Sequence, residues 1–272
     1  MNASVLVTPE ALRDSLAGER PPLVLDCRVF RGDEKPGDRR YLPQSLSLDL
    51  ERDLSADPGE GGRHPLPSQS DFTATLQALG VTPERPVVVY DDSGGQLAAA
   101  RAWWMIACWA GHPDAHLLDG GLAGWQMIGG ELVKVPVEPA NQSRWTPSFN
   151  DDVLVSVEVL LEQGGQLVDA RAATRFRGDE EPLDSIAGHI PGAMCRPCTQ
   201  NLETSGRFKS PGQLADELPK GEALTAYCGS GVTACHNILS YAVAGLPLPR
   251  LYAGSWSEWI RDPARPIATG DA

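Results

Sequence analysis

The chain repeats itself over nearly its whole length, and this constrains its fold more than any other feature. Val7-Thr-Pro-Glu-Ala-Leu12 matches Val155-Ser-Val-Glu-Val-Leu160, and Leu23-Val-Leu-Asp-Cys-Arg28 matches Leu167-Val-Asp-Ala-Arg171. Tyr41-Leu-Pro43 matches His189-Ile-Pro191. Val87 to Gly94 matches Leu224 to Gly231, and Leu118-Asp-Gly120 before Trp125 matches Tyr252-Ala-Gly254 before Trp256. The order is the same in both halves, and the offset drifts only from 148 to 134 positions. A duplicated domain is the expectation, and 272 residues suit two domains at about 150 residues each. The expected division is 1–135, a linker over 136–150 containing Pro136, Pro139 and Pro147, and 151–272.

Each half alternates short apolar runs with helical patterns. Val87–Tyr90 and Ala223–Tyr227 read as strands, and Gln96–Ala110 and Thr233–Ala244 as helices. The expected class is therefore α/β, with two tandem domains, each a mostly parallel sheet covered by helices on both faces. Ligands of such sheets lie at the carboxyl ends of the strands.

The net charge of −13 argues against a nucleic-acid partner, which would need a basic surface. The longest apolar candidate, Leu97–Gly111, is short and interrupted by Arg101, so no membrane span is expected. No basic segment followed by an apolar core opens the chain; Thr8 as N-cap with Pro9 at the first helical position starts a helix instead. A cytoplasmic protein is the expectation, with Cys27, Cys108, Cys195, Cys198, Cys228 and Cys235 as free thiols.

One of these thiols is placed for chemistry. In Ala226-Tyr-Cys-Gly-Ser-Gly-Val-Thr-Ala-Cys-His236 an apolar strand ends, a glycine-rich turn follows and a helix begins near Thr233. Gly229 and Gly231 allow close backbone approach, so successive N–H groups can form an anion-binding nest. The helix N-terminus adds its positive end. Cys228 should ionise readily there and act as a nucleophile.

This loop, with Gly188-His-Ile-Pro-Gly-Ala193 and Tyr252-Ala-Gly-Ser-Trp-Ser-Glu-Trp259, resembles the rhodanese superfamily, and within it the 3-mercaptopyruvate sulfurtransferases. The resemblance implies two rhodanese-like domains, the first inactive and the second catalytic, with sulfur carried as a persulfide on Cys228. Asp91 stands where the first half would need a nucleophile, which agrees. The implied donor is 3-mercaptopyruvate, because Gly229-Ser230-Gly231 lacks the basic side chains that suit thiosulfate; a thiosulfate sulfurtransferase is the alternative. The implied acceptor is a thiol, thioredoxin among the candidates, or cyanide. Neither a metal nor an organic cofactor is required.

The resemblance further assigns substrate contacts to Arg175, Gly229, Gly231, Val232 and Thr233. A second carboxylate-binding arginine is expected shortly before Gly188-His-Ile-Pro, but Leu183 occupies that place, leaving Arg177 or Arg171 to substitute. Ser230 would donate to the substrate carbonyl. It would be supported by a histidine, matched by His64, and by an acidic residue, Glu51 or Asp49.

Two rival chemistries would need different residues. A cysteine phosphatase would need an arginine six residues after Cys228, where Ala234 stands. A non-catalytic binding module would not need the intact Cys228 loop. Cys195-Arg-Pro-Cys198 lacks the further ligands of a zinc site and is read as structural.

Overall fold

A computed structural model describes residues 4–30, 34 and 37–271. The strands are β1 (Leu6–Val7), β2 (Leu23–Asp26), β3 (Ser45–Ser47), β4 (Val87–Tyr90), β5 (Ala115–Leu118), β6 (Leu167–Asp169), β7 (Met194–Cys195), β8 (Thr225–Tyr227) and β9 (Arg250–Leu251). The α-helices are α1 (Pro9–Leu16), α2 (Gln69–Ala78), α3 (Ala98–Trp103), α4 (Gly121–Met127), α5 (Val157–Gln163), α6 (Ala173–Arg177), α7 (Pro211–Glu217), α8 (Ala234–Ala244) and α9 (Ser255–Trp259).

They form two sheets, ordered β1-β5-β4-β2-β3 and β7-β6-β8-β9, and every strand pair is parallel. A parallel bridge from Leu154 to Leu251 extends the second sheet in the manner of β1, so the two orders correspond. All four residues of β2 and of β4 are buried, as strands covered on both faces must be. The α/β class with helix-covered parallel sheets is therefore the observed one.

The repeat extends to atomic detail. Thr8 caps α1 by accepting from the Ala11 N–H, and Ser156 caps α5 by accepting from the Val159 N–H. In both sheets the strand-ending aspartate grips an arginine two residues on: Asp26 with Arg28, and Asp169 with Arg171. The Tyr90 hydroxyl accepts from the Leu42 N–H and the Tyr227 hydroxyl from the Ile190 N–H, both at 3.2 Å.

The chain divides into two compact units, neither of them continuous. The first comprises residues up to Leu54, Pro67–Asn150 and Glu203–Phe208; the second comprises Ser55–Leu66, Asp151–Leu202 and the chain from Lys209 onward. The stretch 136–150 lies with the first unit: the Trp145 carbonyl accepts from Gln77, and the Phe149 ring packs 4.6 Å from Trp109.

Two elements differ from expectation. The helix expected over 96–110 begins only at Ala98 and widens into a π-helix over Trp104–Trp109. It starts late because the Leu97 and Ala99 N–H groups turn toward the Asp91 carboxylate. The strand expected from Ala223 begins at Thr225, because Ala223 takes a left-handed φ of 53°. Arg101 sits fully inside the first unit, where its guanidinium donates to the Leu54 carbonyl. Among the described residues, no helix is long and apolar enough to cross a membrane.

Candidate active site

Cys228 follows β8 directly, at the carboxyl end of the second sheet, and is buried. Its N–H donates to Ser255 Oγ (3.1 Å), and its carbonyl accepts from the Trp256 N–H (3.0 Å). The Gly229 carbonyl accepts from the Ser257 N–H (2.8 Å). The first turn of α9 thus holds the loop by three hydrogen bonds. Ser255 is held in turn: it keeps a φ of 54°, and its hydroxyl donates to the Tyr252 carbonyl.

The two glycines of the loop serve different ends. Gly231 has φ 75°, and a Cβ there would stand 2.3 Å from the Ala253 carbonyl oxygen. Gly229 does not take a left-handed φ; its bareness makes room for cations. A Cβ at Gly229 would lie 3.1 Å from Arg63 Nη2 and 3.5 Å from both terminal nitrogens of Arg175. Val232 is buried, and Thr233 precedes α8 as its N-cap.

Ser230 is buried and meets His64, with Nδ1 2.7 Å from Oγ. His64 belongs to the second unit through the segment Ser55–Leu66. Gly62, at φ 98°, lets that segment lie flat on α9: a Cβ there would be 2.7 Å from Ser257 Oγ. Glu51 and Asp49 belong to the first unit, where Asp49 accepts from the N–H groups of Glu51 and Arg52 and so caps its own turn.

Arg175, in the last turn of α6, is fixed by two buried carboxylates. Its Nε and Nη2 donate to Glu181, at 3.1 and 2.7 Å, and Nη2 also donates to Asp184 Oδ2 at 3.0 Å. Arg63 donates to the other oxygen of Asp184. Burial works to raise the Glu181 pKa, but hydrogen bonds from Arg175 and from the Asp184 and Leu183 N–H groups outweigh it and hold it below the usual carboxylate range. Arg171 is buried beside them, donating to Asp169, to the Gly188 carbonyl and, at 3.4 Å, to Glu181, with its guanidinium 4.8 Å from the Trp256 ring centroid. Arg177 is engaged with Asp179 at the surface. Leu183 is 66 % exposed.

Sequence reasoning missed Arg63, Glu181, Asp184 and Ser255. The available signals were weak: Arg63 adjoins His64, and Asp184 follows the position where a second arginine was expected.

The other thiols are placed differently. Burial pushes the Cys198 thiol up to about 12, with the charge of a Cys228 thiolate adding to the rise. Burial also raises Cys195. All six cysteines are free, and among the described residues no group of three or more His, Cys, Asp or Glu could hold a metal ion.

The corresponding point of the first unit is filled. Asp91 is buried, and its carboxylate accepts from the N–H groups of Ser93 (2.9 Å), Gly95 (2.7 Å), Leu97 (3.3 Å) and Ala99 (3.4 Å). Its carbonyl accepts from the Leu122 N–H, as that of Cys228 does from Trp256. The loop N–H groups there converge on the carboxylate of Asp91 itself, as in an anion-binding nest.

Comparison with known proteins gives the family. The rhodanese-like domain family matches twice, over residues 8–128 and 155–262. A Pseudomonas aeruginosa protein named "Probable 3-mercaptopyruvate sulfurtransferase" is 47% identical, with 100% of both chains covered. A Gallus gallus protein named "Thiosulfate sulfurtransferase" is 37% identical, over 87% of this chain and 86% of that one. The solved 3-mercaptopyruvate sulfurtransferase from Leishmania major superposes with a TM-score of 0.82 at 29% identity, covering 96% of this chain and 76% of that one. A twofold family match, with a relative of this identity along the entire chain, establishes that the protein belongs to the rhodanese-like family, among its two-domain sulfurtransferases.

Proposed function

We propose that the protein moves sulfur from 3-mercaptopyruvate to a thiol or cyanide through a persulfide on Cys228. The observation that carries this reading is the Cys228–Gly231 loop, in which the residue after the cysteine, Gly229, faces two guanidiniums and the next, Ser230, is paired with His64.

In the first half-reaction the Cys228 thiolate attacks the donor's sulfur. An S–S bond forms, the donor's C–S bond breaks, and its electron pair passes into the enolate of pyruvate. The proton that was on the donor's sulfur ends on the enolate carbon, leaving pyruvate and a Cys228 persulfide anion. With the His64 proton on Nδ1, Ser230 Oγ accepts from the imidazole and turns its own hydrogen to the donor's carbonyl oxygen, where negative charge grows. In the second half-reaction the outer sulfur passes to the acceptor: cyanide leaves as thiocyanate, and a thiol, such as that of thioredoxin, leaves as a persulfide. Either restores the Cys228 thiolate. The first unit is the non-catalytic one in this scheme, because Asp91 supplies no sulfur nucleophile and its carboxylate occupies the nest.

Thiosulfate suits the site less well, since Gly229, Ser230 and Gly231 add no positive charge to the loop for a dianion. Mass spectrometry after exposure to 3-mercaptopyruvate should show a gain of one sulfur on Cys228, lost in Cys228→Ser. No gain with either donor would overturn the mechanism. A higher kcat/KM for thiosulfate than for 3-mercaptopyruvate, with cyanide as acceptor, would overturn the donor assignment and spare the mechanism.

A further inference from the structure

We infer that Arg63 is the second arginine of the donor's carboxylate clamp, taking the part expected of an arginine at position 183. The inference rests on the reading of Cys228 as acceptor of sulfur from an α-keto acid.

Arg63 and Arg175 converge on one point. Their terminal nitrogens lie 3.1 and 3.5 Å from the place where a Gly229 side chain would begin, next to the nucleophile. Two guanidiniums so close repel each other, and the fold holds them together with one buried carboxylate: Asp184 receives Arg63 on one oxygen and Arg175 on the other. Glu181 fixes Arg175 from behind. Each carboxylate orients a fork while leaving other donors of that fork uncommitted to it, since a guanidinium has five N–H groups. Paired forks of this kind recognise a planar carboxylate by charge and geometry together.

The backbone of Arg63 is equally constrained. Its N–H donates to Ser257 Oγ at 3.0 Å, and Gly62 packs against the Gly254 carbonyl. The same short helix α9 therefore holds both Cys228 and Arg63, which sets their spacing. Arg177 and Arg171, the two substitutes that the sequence offered, are engaged, Arg177 with Asp179 at the surface and Arg171 with Asp169 and Glu181.

Leu183 stands close to Arg63 in this chain. It lines an open cleft of about 370 Å³ together with Arg63, Asp184, Ser257 and Arg261. The guanidinium beside position 183 is thus supplied by the residue next to His64.

The test uses the full chain. Persulfide formation on wild-type Cys228 is measured first; its failure would sink the sulfur-carrier reading and is separate from the fate of Arg63. Arg63→Gln should then raise KM for 3-mercaptopyruvate and weaken inhibition by pyruvate by a common factor of roughly 10- to 100-fold, as loss of charge-assisted hydrogen bonds implies. The effect on kcat should be much smaller. Adding Leu183→Arg to Arg63→Gln should recover most of both losses. Unchanged KM and pyruvate inhibition in a folded Arg63→Gln protein would overturn the inference, as would a loss confined to thermal stability. Should Arg63→Gln fail to fold, Arg63→Lys decides, because it keeps the charge facing Asp184 but loses the fork. A KM raised several-fold would support the clamp, and an unchanged KM would overturn it.

Discussion

Asp91 and Cys228 stand at equivalent points of the two sheets, each directly after its strand. At Asp91 four N–H groups of the loop are satisfied by the residue's own carboxylate. Burial raises the pKa of that carboxyl, and the backbone donors work against the rise. Asp91→Ala would leave buried donors without an acceptor and should lower unfolding stability by roughly 1.5–3 kcal/mol, measured by chemical denaturation. Persulfide formation per folded molecule should stay at the wild-type level. At this scale the nucleophile was legible because strand, cysteine and glycines are contiguous, and Ser230 lies within the same stretch. Arg63 and Asp184 were not. Their meaning depends on a contact across 121 positions, and the bareness of Gly229 signals a turn as readily as a neighbouring cation.

Among the elements, α9 does more than its five residues suggest. It returns hydrogen bonds to Cys228 and Gly229, receives Gly62, and places Trp256 beneath Arg171. The loop has little freedom against it, as Gly231 illustrates. Gly231→Ala would force both a left-handed alanine, costing about 1–2 kcal/mol by itself, and a collision with the Ala253 carbonyl. Its melting temperature should fall, and persulfide formation should drop out of proportion to the folded fraction left. The strands and capped helices were legible from apolar runs and from Thr8, Pro9 and Ser156, which act locally. The start of the helix after Asp91 was not, because N–H groups at that start bond the Asp91 carboxylate, a contact that the apolar pattern does not carry.

For the whole molecule, duplication was legible from the order of matched segments, and the parallel sheets followed from alternation. The exchange of short segments was hidden, since nothing in the composition of Ser55–Leu66 announces which unit it joins. It matters because Arg63 and His64 reach the second unit only through that segment. Residues 151–272 produced alone should therefore form the Cys228 persulfide far more slowly than the full chain. Supplying residues 1–150 in trans should recover part of the rate; equal rates without them would contradict the division. The exchange also dictates a sequence of events during synthesis. Gly62, Arg63 and His64 are made long before Ser230 and Ser257, the residues they bind, and Phe208 is made long after Asp119, to which its N–H donates. Each unit must wait for chain that belongs to the other half, so the nascent protein cannot finish one domain and then begin the next.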